Sequence, residues 1–279
     1  MSSQLERSLT TFKHTLLAAL AVMGVASSAN AALLASESFN YEVGANLANG
    51  TQNGGLGFTS GWAVGGASTS VVSAGSLNYP PSVAFTPTGN SGSFTTTNEF
   101  FAQLNRGFDA PASLPAASAG TRYVSFLMNT NNLNAYNQLG IGANSSYVTF
   151  GFNGNQFRID ASGGASGASV AFGTPVAGTT YLFVGKVVND GTNSTASLNV
   201  YAPGDTVPGT EGAYQATTGS FVSRNLNGLY GFQGQNSAVL YDEFRIGDTY
   251  ADVVTVPEPT TFALVGLGAL GLAARRRRA

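Results

Sequence analysis

The 279-residue chain has no cysteine, one histidine (His14), one tryptophan (Trp62) and only 9% charged residues. Without cysteine there is neither a disulfide framework nor a thiol nucleophile, so an exported domain must rest on its apolar core. With the lone histidine at position 14, the rest of the chain can form neither a Ser-His-Asp triad nor a histidine metal site. Basic residues are equally thin. Between Glu37 and Asp252 there are six, Arg106, Arg122, Arg158, Lys186, Arg224 and Arg245, against twelve carboxylates. An acidic stretch without a Lys/Arg cluster lacks the footprint that binds phosphates, which excludes nucleic acid as a partner. The net charge of −2 for the whole chain hides this acidity, because Arg275, Arg276, Arg277 and Arg278 stand together near the end.

Both ends carry export signals. Arg7 and Lys13 precede a ten-residue apolar run from Leu16 to Val25, and Ala29-Asn30-Ala31 supplies a small-x-small pattern. Residues 1–31 therefore read as a secretory signal helix cut between Ala31 and Ala32, a substrate for the Sec machinery. At the other end Val256, Pro257, Glu258 and Pro259 lead into the uncharged Thr260–Ala274, which the four arginines close. Fifteen residues make roughly 22 Å of helix at about 1.5 Å per residue, short of the ~20 residues that a hydrocarbon core demands. The tail, residues 255–279, thus predicts a marginal transmembrane helix, held with its arginines on the cytoplasmic side by the positive-inside rule.

In its order of Pro-Glu-Pro core, apolar span and arginine cluster, this tail resembles the PEP-CTERM sorting signal of Gram-negative bacteria. The resemblance implies recognition by an exosortase, an integral-membrane cysteine protease, with cleavage near the proline motif. It also implies a transient inner-membrane anchor, followed by delivery to the cell surface or extracellular matrix.

What remains, residues 32–254, is long enough for one domain with a substantial core. Its wealth of Gly, Ser, Thr, Asn and aromatics and its shortage of long helix formers are strand-and-turn chemistry. Strands are predicted at 123–128, 147–152, 156–160, 181–188, 197–201, 229–232 and 238–246, with a tight hairpin at the Asn153-Gly154 step. Residues 111–120 and 162–169 read as loops. Strands at this density without a convincing amphipathic helix predict an all-β sandwich.

Glu37-Ser38-Phe39-Asn40-Tyr41 near the start, with Trp62 after it, and Tyr241-Asp242-Glu243-Phe244-Arg245-Ile246-Gly247 near the end resemble the terminal strands of laminin-G-like, concanavalin A-like jelly rolls. In those folds the first and last strands commonly pair. The Glu-x-Asp-x-x-Glu arrangement of jelly-roll glycoside hydrolases is absent. Asp242 and Glu243 are adjacent, so on a regular strand they point to opposite faces and make no acid/base pair by themselves. No catalytic activity is expected. Three residues are candidates for a ligand: Trp62 as a sugar-stacking ring, against the commoner core role of a single Trp, and Asp242 or Glu243 as a Ca²⁺ contact. Calcium prefers several oxygen ligands and no loop offers an Asp-x-Asp-x-Asp run, so solvation or an ion pair with Arg245 competes with that role. No other cofactor is expected.

Proteins with such tails belong, by resemblance, to systems that make exopolysaccharide and biofilm matrix. A structural or adhesive matrix protein is the leading expectation. A carbohydrate-recognition module on a concave sheet face is the alternative, and a polysaccharide-cleaving enzyme a third. Exposed aromatics with Asn or Asp on one sheet face would favour sugar binding; a face of small residues would favour a structural element.

Overall fold

The computed structural model describes residues 33–66, 68–79, 87–96, 102–143, 146–162 and 168–254. The strands are β1 (Ala35–Glu37), β2 (Ala63–Gly65), β3 (Ser68–Ser73), β4 (Ser91–Thr96), β5 (Ala102–Gly107), β6 (Ala119–Thr130), β7 (Asn137–Ala143) and β8 (Ser146–Asn153). They continue with β9 (Gln156–Ser162), β10 (Ala168–Phe172), β11 (Tyr181–Asp190), β12 (Asn193–Tyr201), β13 (Ala216–Thr217), β14 (Phe221–Val222), β15 (Gly228–Gln233) and β16 (Ser237–Gly247), and a single-turn helix, α1 (Tyr250–Val254), follows. A nine-stranded sheet runs β13-β12-β11-β6-β16-β4-β3, with β14 also on β12 and β1 on β16. A seven-stranded sheet runs β10-β9-β8-β7-β15-β5-β2. The two face each other as an all-β sandwich.

Alternation builds the core between them, since successive strand residues point to opposite faces. From the nine-stranded sheet come Val124, Phe126 and Met128 of β6 and Phe183 and Val187 of β11; from the seven-stranded sheet come Leu139 and Ile141, Phe150 and Phe152, and Phe157 and Ile159. Phe126 stacks on Phe183 with centroids 5.2 Å apart, and Phe152 meets Phe183 edge-on at 5.3 Å. Gly185 lies opposite the Phe150 ring, where a Cβ would stand 2.6 Å from ring carbons, so this position has room for glycine alone.

The terminal strands pair as expected: Ala35, Ser36 and Glu37 lie opposite Ile246, Arg245 and Phe244. The first strand, however, occupies Ala35–Glu37 and not 37–41, because Phe39 adopts a left-handed φ of 51° that ends it. The hairpin between β8 and β9 is also where it was expected, but the residues with positive φ are Gly154 (62°) and Asn155 (60°), one place on from the Asn-Gly step. Two consecutive positive φ angles define a type I′ turn. Residues 110–118 form the expected loop and Ala119 opens β6. Ser162 closes β9 and Ala168 opens β10, while 163–167 lie outside the described residues.

The outer face of the nine-stranded sheet carries a second apolar cluster of Tyr123, Leu127, Leu182 and Val184, covered by Leu77, Tyr79, Val207 and α1. Thr249 and Asp252 cap α1 reciprocally: Thr249 N–H donates to Asp252 Oδ2 at 2.7 Å and Asp252 N–H to Thr249 Oγ1 at 3.3 Å. Ser125 Oγ then donates to Val253 O at 2.7 Å, seating the helix on the sheet. Residues 1–32 and 255–279, with the expected signal and transmembrane helices, Ala29, Ala31, Ala32, Val256–Pro259 and Arg275–Arg278, lie outside the described residues. Among the described residues no helix is long and apolar enough to cross a membrane.

Candidate functional site

The outer face of the seven-stranded sheet gathers chemistry that the sequence scatters. Leu139, Ile141, Val148, Phe150, Ile159 and Leu229 point into the core. Their alternates, Gln138, Tyr147, Thr149, Arg158, Asp160, Tyr230 and Phe232, therefore share the opposite face. Register sets them in rows: Tyr230, Gly140, Thr149 and Asp160 lie side by side on β15, β7, β8 and β9, and Phe232, Gln138, Gly151 and Arg158 form the next row. Only glycine fits at the centre of the first row, since an added Cβ at position 140 would overlap the Val148 carbonyl of the neighbouring strand.

Four rings cluster on this face. Tyr147 stacks on Tyr230 at 4.9 Å and meets Phe232 edge-on at 4.8 Å; Tyr230 meets Phe232 at 4.9 Å and Tyr136 meets it at 5.8 Å. Tyr136, Tyr147 and Phe232 are partly exposed, whereas Tyr230 is buried. Beside them runs a polar chain. Thr149 Oγ1 donates to Gln138 Oε1 at 2.5 Å, Gln138 Nε2 donates to Asp160 Oδ2 at 2.5 Å, and Arg158 Nε donates to Asp160 Oδ1 at 3.1 Å. Gln138 and Asp160 are thereby locked by their neighbours, and Arg158 remains half-open to solvent.

Burial, with the charge of Asp160 behind it, holds the Tyr136 hydroxyl well above the ordinary tyrosine range. Burial likewise raises Tyr147 and pushes Tyr230 up to about 12. All three phenols therefore stay protonated at neutral pH and can donate hydrogen bonds. At the surface the arrangement presents the Tyr136, Tyr147 and Phe232 rings and the Arg158 guanidinium, groups that can stack on and hydrogen-bond to a polyhydroxylated ligand, while Gln138, Thr149 and Tyr230 lie buried beneath them.

The residues singled out from sequence lie elsewhere. Trp62 is 1% exposed. It stacks on Phe39 at 5.3 Å and sits near Phe94 at 6.2 Å, so it is a core residue and offers no face to a sugar. Asp242 and Glu243 sit at a β-bulge where β16 changes partner from β4 to β1. Glu243 takes a left-handed φ of 50°, and the core-facing positions shift from Val239 and Tyr241 to Phe244 and Ile246. The expectation of opposite faces fails here, because a bulge sets two residues against one. Both carboxylates instead reach the connection between β3 and β4. Asp242 Oδ2 accepts from Ser76 Oγ and from Leu77 N–H at 2.8 Å, and Oδ1 from Glu243 N–H at 2.8 Å. Glu243 Oε1 accepts from Thr88 N–H at 2.6 Å and Thr88 Oγ1 at 2.9 Å, and Oε2 from Arg245 at 2.9 Å. The ion pair with Arg245 is present, but between buried groups rather than at a solvated edge. Among the described residues no three acidic, histidine or cysteine side chains gather to hold a metal ion.

Sequence reasoning missed the outer-face cluster, although its trace was there: Tyr147-x-Thr149, Arg158-x-Asp160 and Tyr230-x-Phe232 are period-two pairs on strands correctly expected. Their apolar alternates identify the core face, and what is left over is the site.

The fold is an all-β sandwich with a ring-bearing outer face, and comparisons with known proteins add the tail. Residues 255–278 match the PEP-CTERM protein-sorting motif, so the chain carries the signal that marks exosortase substrates. No curated protein matches the chain. Among solved structures, the chain is similar to the binding domain of botulinum neurotoxin serotype G, at 14% identity over 78% of this chain and 48% of that one, with a TM-score of 0.41. It is also similar to the receptor binding domain of the botulinum neurotoxin C/D mosaic serotype, at 11% identity over 86% of this chain and 52% of that one, with a TM-score of 0.42. The chain spans about half the length of these structures.

Proposed function

We propose that this chain is an exported, exosortase-processed adhesive protein of the cell surface or extracellular matrix of a Gram-negative bacterium. Its non-catalytic jelly-roll body, of concanavalin A-like or laminin-G-like type, engages exopolysaccharide through the outer face of the seven-stranded sheet. The Sec machinery and an exosortase handle it in transit, with a transient stay in the inner membrane. The sorting motif at 255–278 supports the route. The observation that carries the binding role is the cluster of Tyr136, Tyr147, Tyr230 and Phe232 beside the Gln138–Asp160–Arg158 chain.

Absence of catalysis is supported by the histidine-free body and by the fate of its most conspicuous acid pair, since Asp242 and Glu243 spend all four oxygens on neighbouring donors. The two ends of the sandwich also fit a tethered adhesin. α1 packs on the outer face of the nine-stranded sheet, so the ring-bearing face lies on the far side of the sandwich from Val254, the last described residue before the tail. A purely structural matrix element is the second reading, favoured by the small residues Gly140 and Gly151, which lie buried in the middle of the same face. Retention of the purified protein on the matrix polysaccharide of its own cells separates the two. Saturable retention without release of sugar supports the adhesive reading, no retention leaves the structural one, and sugar release that a single Asp or Glu substitution abolishes defeats both.

A further inference from the structure

Three polar side chains lie beneath the rings on adjacent strands: Gln138 on β7, Thr149 on β8 and Asp160 on β9. Gln138 and Thr149 are 0% exposed and Asp160 is 7% exposed. A hydroxyl, a carboxamide and a carboxylate thus share one site that is all but closed to water. Thr149 stands directly opposite Asp160 in the ladder, and Gln138 lies one row away, opposite Gly151. The partner of Thr149 on β7 is Gly140. With glycine at both of these positions, no side chain stands on the diagonal between Thr149 and Gln138, and the two meet.

Their contact is close enough for acyl transfer. Thr149 Oγ1 lies 2.5 Å from Gln138 Oε1, so it stands no more than about 3.7 Å from Cδ, one C=O bond further on. Gln138 Nε2 donates to Asp160 Oδ2 at 2.5 Å, and Thr149 Oγ1 is also 3.5 Å from the Asp160 backbone oxygen. Holding the reacting groups at this range replaces a collision and raises the rate of even a weak nucleophile. A Thr hydroxyl still needs a base. Asp160, bonded to the amide and opposite the hydroxyl, is placed to act as one.

We propose that Thr149 and Gln138 become joined by an ester cross-link, which the protein forms on itself once per chain. Thr149 Oγ1 attacks Gln138 Cδ and gives its proton to the Asp160 carboxylate. Asp160 passes that proton to Nε2 as the Cδ–Nε2 bond breaks and ammonia leaves. One C–O bond forms, one C–N bond breaks, no electron is gained or lost, and Asp160 ends as it began. Ammonia is protonated and diluted in solvent, which draws the exchange forward, and exclusion of water protects the ester from hydrolysis. The reaction needs no external ligand, so burial favours it. It ties β7 to β8 covalently and does not depend on the outer face binding polysaccharide.

Peptide mass analysis of the exported protein, purified from its own cells, tests this. Trypsin cuts after Arg122 and Arg158 and leaves residues 123–158 as one peptide that holds both partners. The cross-link makes this peptide lighter by one ammonia, about 17 Da. It also suppresses backbone fragment ions between positions 138 and 149, because a single cut there no longer separates the chain. Succinimide formation at Asn153-Gly154 loses the same mass but lies outside that interval. Thr149→Val restores the full mass, Thr149→Ser keeps the loss, and Asp160→Asn slows its appearance in newly made protein by about 100-fold or more. A wild-type peptide at full mass, or one with a complete fragment series through 138–149, overturns the cross-link, as does the same loss in Thr149→Val. Formation at the wild-type rate in Asp160→Asn overturns the role given to Asp160. If Thr149→Val does not fold, the wild-type fragment series decides alone.

Discussion

Glu37 on β1 and Arg106 on β5 form an ion pair across the two sheets, with side chains 1% and 0% exposed. The pair is fully partnered. Glu37 also accepts from Phe39 N–H at 2.7 Å and from the Tyr41 hydroxyl at 2.5 Å; Arg106 also donates to Ser60 O at 2.8 Å and to Gly54 O, and lies 4.0 Å from the Phe58 ring centroid. One guanidinium thus fastens the N-terminal strand and the glycine-rich 50–62 segment to the seven-stranded sheet. Removing one partner of a buried pair leaves an uncompensated charge, so Arg106→Met should destabilise the protein by about 3–5 kcal/mol. Combining it with Glu37→Gln should recover part of that loss. Urea unfolding of the two single variants and the double variant checks this, and additive losses would refute the coupling.

Asp242 makes stability depend on pH. Burial, aided by the neighbouring charge of Glu243, pushes its carboxyl up from 3.8 to about 7, against the opposing hydrogen bonds from Ser76 and Leu77. A carboxyl raised in the folded state contributes stability that is fully present below the unfolded pKa and is lost as pH rises through the folded one. Wild type should therefore lose stability between about pH 4 and pH 7 relative to Asp242→Asn, with a slope of at most ~1.4 kcal/mol per pH unit. Parallel stability–pH curves for the two proteins would contradict this.

The face and the core separate by mutation. Tyr147→Ala and Phe232→Ala should each weaken polysaccharide binding about tenfold, roughly 1.4 kcal/mol. Trp62→Phe should leave binding unchanged while lowering Tm, because Trp62 packs on Phe39 inside the core. Titration calorimetry beside thermal unfolding reads both. Binding that falls with Trp62→Phe but not with Tyr147→Ala would invert the assignment.

The fold was largely legible in the sequence because its longest strands are rich in aromatic and β-branched residues: Tyr181–Val188 and Ala238–Ile246 announce themselves. Two of the strands that escaped notice are poor in them. Ala102–Gly107 reads Ala-Gln-Leu-Asn-Arg-Gly and Asn137–Ala143 holds two glycines, and these become strands through pairing on both edges rather than through propensity. The bulge at Asp242–Glu243 was illegible for a related reason. Alternation assumes an unbroken ladder, and the change of partner from β4 to β1 is a tertiary event.

The proposed sorting route separates into parts by mutation. Replacing Pro257-Glu258-Pro259 by alanines should block cleavage while leaving insertion intact, because the apolar run and the arginines remain. Deleting Arg275–Arg278 should instead weaken retention, since no charge would resist passage of the span. Both effects can be followed by membrane fractionation of cells with a matching exosortase.

The most direct measurement is the intact mass of the protein released from the surface of such cells. Sorting through the motif at 255–278 predicts a mature form that lacks the C-terminal apolar run and its arginines, whereas a released form still ending at Ala279 would contradict the account.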